Sequence, residues 1–283
     1  MRLILLTLLL LVNLEAKSFF GNSTQAETSK YIDNLKDLII STQKTRGLTN
    51  SYLNGNVAAM LLVYANRDNM KKAIGNMESF SLASDPVINS RATAISTALI
   101  KLNHRAFKQK PAKSFSDYTD QIGQTLMLAQ SVSKRFAKDL TPFAKESSSL
   151  MMESMLPMTE FTGRLRGLGA GIAAKEKVTK DDKQQIEALI YQLTNANQQL
   201  QVQLNQIISK YSDKLPSSIN TELASINTKV KKYTELAQKR LLTNPSKVNP
   251  DDYFDEGTDL ISAIIRAYNT LDQAMLKDSK GWF

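Results

Sequence analysis

Residues 186–211, IEALIYQLTNANQQLQVQLNQIISKY, carry the clearest periodic pattern in the chain. Side chains that suit a helix seam recur there at alternating steps of four and three residues: Ile186, Ile190, Leu193, Asn197, Leu200, Leu204, Ile207 and Tyr211. This heptad spacing predicts a long helix that packs against other helices. Its single polar member, Asn197, is expected to fix the register of that packing.

The same periodicity, followed outward in both directions, predicts eight helices. Caps and prolines mark several of their ends. The first helix runs from about Ser23 or Thr24 to Asn54, the third opens at Asp85-Pro86, the fifth covers Phe143 to Ala174, the seventh covers Ser217 to Leu242, and the eighth opens at Asn249-Pro250. The second helix follows Asn56 and is predicted to point Met60, Tyr64, Met70, Ile74 and Met77 inward. Pro157 is expected to kink or divide the fifth helix.

The predicted fold is all-α, with two four-helix bundles joined through long helices. Only 11 glycines and 7 prolines occur in 283 residues, too few to punctuate a many-stranded sheet. Short polar connections favour antiparallel neighbours. The expected units are residues 17–142 and residues 143–283, which together form one domain.

An apolar run at residues 3–12 follows Arg2 and precedes a small residue, Ala16. This order is typical of a secretory signal peptide, predicted here as residues 1–16. The run is shorter than the ~20 apolar residues that a spanning helix needs, so we expect no stable membrane span in the mature chain. The predicted location is the periplasm.

The composition excludes several classes of function. The chain has no cysteine and one histidine, His104, which excludes disulfides, thiolate catalysis and histidine-rich zinc sites. We therefore predict no cofactor, no metal and no enzyme activity. The net charge is +9, but the lysines are scattered and form no basic run, so nucleic acid is not an expected partner.

A seven-residue pattern occurs in both the first and the fifth helix. Residues 42–48 read TQKTRGL and residues 162–168 read TGRLRGL. In each copy a threonine lies one turn before an arginine on the same helix face. The candidate ligand-binding residues are Thr42, Arg46, Gly47, Thr162, Arg166 and Gly167.

A second pattern links the fourth and eighth helices. Residues 115–122 read FSDYTDQI and residues 254–261 read FDEGTDLI, and these copies stand in the same order as the first pair. We infer an internal duplication in which each half carries Arg-Gly-Leu on its first helix and Phe-x-x-x-Thr-Asp on its last.

An arginine buried in a helical bundle needs a partner, because an unpaired buried charge costs several kcal/mol. Two interpretations are open. Asp120 and Asp259 are the candidate partners in internal salt bridges. Alternatively, the arginines bind a small planar oxyanion, for which a guanidinium fork is well suited. Four glycines in residues 163–171 cost roughly 4 kcal/mol of helix propensity, which close helix packing or a ligand must offset.

Residues 43–53, QKTRGLTNSYL, and residues 163–172, GRLRGLGAGI, resemble the two arginine-containing stretches of the NIT family, the nitrate- and nitrite-sensing domain of bacterial signalling proteins. The resemblance covers roughly residues 29–276. It implies two four-helix bundles and arginines that take part in anion sensing. Members of that family usually carry an attached effector module, and we expect none within these 283 residues.

The leading hypothesis is therefore an exported, nitrate- or nitrite-responsive binding module. A separate membrane-bound signalling protein is its expected reader, and a homodimer is left open. The alternative is a structural or adaptor bundle of the cell envelope whose arginines form internal salt bridges.

Overall fold

The computed structural model describes the backbone of residues 2–280 and the side chains of residues 25–279. Within these limits the chain is helical and contains no strand, which confirms the predicted all-α class. The helices are α1 Arg2–Leu53, α2 Ala59–Ser79, α3 Pro86–Arg105, α4 Pro111–Phe136, α5 Pro142–Leu150, α6 Leu156–Ala174, α7 Lys180–Lys210, α8 Ser218–Leu236 and α9 Pro250–Lys280. The side chains of the predicted signal peptide lie outside the described residues.

The fifth predicted helix is one continuous rod made of α5 and α6. A π-helical turn, Met151–Met155, joins the two just before Pro157. Proline has no N–H to donate to the carbonyl four residues earlier, and the wider π turn accommodates that loss without ending the helix. Counted this way, the described chain has the eight long helices that the sequence predicts. The first of them begins at Arg2 rather than near Ser23, since no proline interrupts residues 2–53.

The helices pack in two rings of four. In the first ring α1 packs on α2 and α4, and α3 packs on the same two helices. In the second ring α6 and α8 each pack on α7 and α9. The long helices α1 and α6 pack against each other and join the rings, as predicted. Among the side chains that the structure describes, no helix combines the length and apolar character needed to cross a membrane.

Most of the predicted seam of α7 is buried, from Ile186 to Ile207, whereas Ile190 is half-buried and Tyr211 lies half-buried just beyond the end of the helix. Asn197 lies within it and donates a hydrogen bond from Nδ2 to Oδ1 of Asn227 on α8, at 2.8 Å. This polar pair has a place in only one alignment of the two helices, which is the register-fixing role expected of Asn197.

The predicted inward face of α2 is wrong in its first half. Tyr64 is 51% exposed and Met60 is half-buried, whereas Val63 and Asn66 are buried. Asn66 belongs to the core because its Nδ2 donates to the Ser41 carbonyl at 2.5 Å and to the Thr45 hydroxyl at 2.7 Å. A polar residue at a core position conceals the true register from an apolar periodicity.

Candidate functional site

The two Arg-Gly-Leu segments meet where α1 crosses α6. A methyl group added at Gly47 would lie 3.2 Å from Cα of Gly167, and one added at Gly167 would lie 3.0 Å from Cα of Gly47. The helix backbones are therefore in contact through their glycines. We call Arg46, Gly47, Arg166 and Gly167 together the arginine crossing.

Arg46 is fully buried on the first side of the arginine crossing. Its guanidinium carbon lies 4.7 Å from the ring centroid of Phe115 on α4, and its Nη1 donates to the hydroxyl of Thr119 at 2.9 Å. Phe115 also fills the space beside Gly167, where an added methyl group would come within 2.8 Å of the ring. One aromatic ring thus supports both the charge and the helix contact.

Arg166 has a matching environment on the second side. Its guanidinium carbon lies 4.4 Å from the ring centroid of Phe254 on α9, and its Nη1 donates to the hydroxyl of Thr258 at 2.8 Å. Phe254 closes the space beside Gly47 at 2.7 Å, as Phe115 does beside Gly167. The two sequence patterns therefore come together in the same way on both sides, while the duplication that would explain this remains a prediction.

The two sides differ in one charged residue. Glu160 on α6 pairs with Arg46 through both oxygens, with Nη1 to Oε1 at 2.5 Å and Nη2 to Oε2 at 3.1 Å. Gln43 donates a further hydrogen bond to Oε2 at 3.1 Å. Hydrogen bonds of this charge-assisted kind are the strong ones in proteins, so the Arg46 side is electrostatically compensated.

Arg166 has no such carboxylate. Among the side chains that the structure describes, none forms a salt bridge with it, and its Nε and Nη2 lack hydrogen-bond partners. Burial lowers the pKa of the Arg166 guanidinium to about 10, so it remains charged at neutral pH. A fully buried cation with two unpaired donors on one edge is an energetically costly feature.

The aspartates predicted to pair with the arginines do not. Asp120 and Asp259 are exposed, and Asp259 lies 3.5 Å from Lys229 instead. Their threonine neighbours, Thr119 and Thr258, point inward to the guanidinium groups. Adjacent residues on a helix point about 100° apart, so only one of each Thr-Asp pair can face the bundle interior.

The predicted threonines of α1 and α6 are buried but do not bond to the arginines. Thr42 donates to the Leu38 carbonyl at 2.7 Å, and Thr162 donates to the Met158 carbonyl at 2.9 Å. Sequence reasoning missed Glu160 altogether. One signal for it exists, since Glu160 is the only charged residue in the apolar stretch of residues 154–163.

Close packing accounts for the glycine-rich stretch of α6. Methyl groups at Gly169 and Gly171 would lie 2.2 Å from Tyr253 and 2.3 Å from Asn50. Gly163 leaves space for Arg46 and Gln43, each of which would lie 3.2 Å from an added methyl group. Tight helix contacts therefore offset the low helix propensity of these residues.

A solvent-open cleft of about 560 Å³ reaches one side of the arginine crossing. Phe115 and Thr119, which both contact Arg46, form part of its wall, together with Asn50 and the half-buried Arg164. The cleft therefore brings solvent next to two residues that contact the guanidinium of Arg46.

Comparison with known proteins assigns the fold to a family. A family model described as nitrate and nitrite sensing, NIT, matches residues 37–278. A solved structure of the NasR transcription antiterminator has the same fold, with a TM-score of 0.63 over 98% of this chain and 75% of that chain, at 13% sequence identity. No curated protein matches the sequence. The matched region includes both rings of helices and the whole arginine crossing, and the chain belongs to the NIT family of nitrate- and nitrite-sensing proteins.

Proposed function

We propose that this protein binds nitrate or nitrite at the arginine crossing and thereby acts as an exported sensory module. The observation that carries the proposal is Arg166, a fully buried cation whose Nε and Nη2 have no partner among the described residues. Such a group has the positive charge and the free donors that an anion site needs.

The geometry of the free donors suits a small planar oxyanion. Nε and Nη2 lie on the same edge of the guanidinium and point in nearly parallel directions, so two oxygens of one anion can accept from both. Phe254 lies over one face of the guanidinium, 4.4 Å from its carbon, and leaves the edge that carries Nε and Nη2 uncovered by the ring. Nitrate and nitrite are weakly hydrated, which lowers the desolvation free energy on entering this site.

The family supports the choice of ligand, since nitrate and nitrite sensing is its described function. The NasR structure is that of a transcription antiterminator. We propose that the change on binding is read by a separate membrane-bound signalling protein and that the module works in the periplasm, where the predicted signal peptide would deliver it. Gly47 and Gly167 contribute by bringing the two guanidinium groups to one crossing.

The structural alternative explains only half of the site. The buried Arg46–Glu160 pair is the kind of internal salt bridge that it requires, although with a different acid from those predicted. It gives no reason for Arg166, whose burial without a carboxylate lowers stability. Anion binding accounts for both arginines, and we therefore favour it.

The test is calorimetric titration of the purified protein with sodium nitrate and sodium nitrite, compared with sodium chloride at equal ionic strength. Thermal unfolding in the same salt solutions measures the melting temperature. We expect nitrate or nitrite to bind and to raise the melting temperature by roughly 5–10 °C at one hundred times Kd. Arg166→Met should abolish the shift, whereas Lys44→Met, on the same helix as Arg46, should retain it. Indistinguishable responses to all three salts would overturn the proposal.

A further inference from the structure

The buried charges of the arginine crossing do not balance. Arg46 and Arg166 are 0% and 1% exposed, and Glu160 is 8% exposed. Two guanidinium groups therefore face one carboxylate, which leaves one positive charge in the protein interior. Arg164 also lies near Glu160, but it is half-buried and lines the open cleft, and burial lowers the pKa of its guanidinium, so we count only the two fully buried arginines here.

We propose that Glu160 restricts the arginine crossing to a single monovalent anion, so that it acts as the specificity-determining residue of the site. This inference rests on the anion-binding function proposed above. Its basis is the difference between two otherwise matched arginines, one paired with Glu160 and the other without a carboxylate.

The carboxylate of Glu160 already occupies the donors that a second anion would need. Its two oxygens accept from Nη1 and Nη2 of Arg46, and Thr119 takes a further hydrogen bond from Nη1. Only Nε of Arg46 remains without a partner among the described groups. Glu160 thus acts as a built-in anion on that side, and Arg166 is left to bind the one that comes from solution.

Glu160 is also held in place. Gln43 is fully buried and donates to Oε2 from the facing helix α1, while the backbone of α6 fixes the origin of the side chain. A carboxylate that accepts three hydrogen bonds, two from Arg46 and one from Gln43, does not leave easily for solvent. Its negative charge is therefore a constant part of the site.

Charge balance then selects among anions. One nitrate or nitrite neutralises the site, whereas a sulfate ion leaves an excess negative charge inside a medium of low dielectric constant, close to Glu160. Sulfate offers oxygens that a guanidinium binds equally well, so its exclusion depends on charge rather than on hydrogen-bonding capacity. Glu160→Gln removes the charge and keeps the shape of the side chain.

The experiment is isothermal titration of the full chain with sodium nitrate and sodium sulfate, with ionic strength held constant by sodium fluoride. We expect the natural protein to bind one nitrate per chain and no sulfate in the same range. In Glu160→Gln, sulfate should bind with a Kd at least tenfold lower than in the natural protein. Glu153→Gln is the matched control, because that residue lies on the same helical rod but pairs with Lys134 at the surface.

The outcomes separate this inference from the function on which it rests. Nitrate binding without any gain of sulfate binding in Glu160→Gln overturns the role of Glu160 and leaves the anion site standing. Two nitrates per chain, or sulfate that displaces nitrate from the natural protein, overturn it as well and need no variant. Absence of both nitrate and nitrite binding in the natural protein instead overturns the proposed function.

Discussion

Gly47 and Gly167 contact each other across the arginine crossing, with room for no side chain between them. Each glycine also borders the phenylalanine that supports the arginine of the other helix. The spacing of the two helices and the position of both guanidinium groups therefore depend on the same pair of residues. A side chain at either glycine would therefore disturb both the helix contact and the guanidinium groups.

Gly47→Ala should destabilise the fold by about 1–3 kcal/mol, because the added methyl group has to displace Phe254 or the backbone of α6. Gly75→Ala is the matched control. Apart from the adjacent residues and the backbone of its own helix, no described atom lies within 4 Å of a methyl group at that position, so alanine should stabilise the helix by up to ~1 kcal/mol. Urea unfolding followed by circular dichroism measures both changes. Equal effects at the two positions would contradict the described contact.

The same substitution should lower stability at Arg46 but not at Arg166. Arg46→Met leaves the Glu160 carboxylate buried and unpaired, and we expect a loss of about 3–5 kcal/mol. Arg166→Met removes a buried charge that has no carboxylate partner among the described residues, so stability in nitrate-free buffer should be unchanged or higher. Thermal unfolding of both variants and of the natural protein in nitrate-free buffer measures these changes in stability. Equal losses would mean that Arg166 has an internal counter-ion.

The start of α3 provides a prediction that depends on pH. Asp85 caps this helix, and hydrogen bonds from Arg135 and from the amides of Ile88 and Val87 lower the pKa of its carboxyl group. Because the pKa is lower in the folded state, the stabilisation is present above the unfolded value of about 3.9 and is lost as the pH falls through the folded value.

Asp85→Ala should therefore lower the melting temperature at pH 7 by roughly 2–4 °C, and this difference should shrink as the pH is lowered below about 4. Asp120→Ala serves as the control, since the Asp120 side chain is exposed. Melting curves recorded between pH 7 and pH 2.5 provide the comparison. A difference that stays constant across that range would show that the charge of Asp85 contributes nothing.

The positions of the helices can be predicted from the sequence, because the periodicity of apolar residues indicates which side chains are buried. The heptads of α7 and the Asp85-Pro86 start of α3 needed no knowledge of distant residues. The inward position predicted for Tyr64 is wrong because it, too, depends only on apolar periodicity. Asn66 holds a core position through hydrogen bonds to α1, and a method that counts apolar side chains cannot detect it.

The candidate site can be predicted from the sequence only in part. The repeated patterns identified both arginines and the helices that carry their partners, yet the choice between Thr119 and Asp120 depends on a helix rotation that the pattern leaves open. Glu160 lies 114 residues from Arg46 in sequence, so only the packing of α1 on α6 brings the two together. Partners supplied by tertiary packing are beyond the reach of local sequence patterns.

The length of α1 determines how far a change at the arginine crossing extends. The helix rises about 1.5 Å per residue, so residue 25 lies about 30 Å from Arg46 along a single unbroken rod. A tilt of about 5° at the point where Gly47 touches Gly167 would displace that distant part of α1 by nearly 3 Å, on the order of a full hydrogen-bond length. If the protein binds an anion as proposed, the glycine contact would act as the pivot of α1, and a small change at the crossing would become a movement of several ångströms at the far part of the helix.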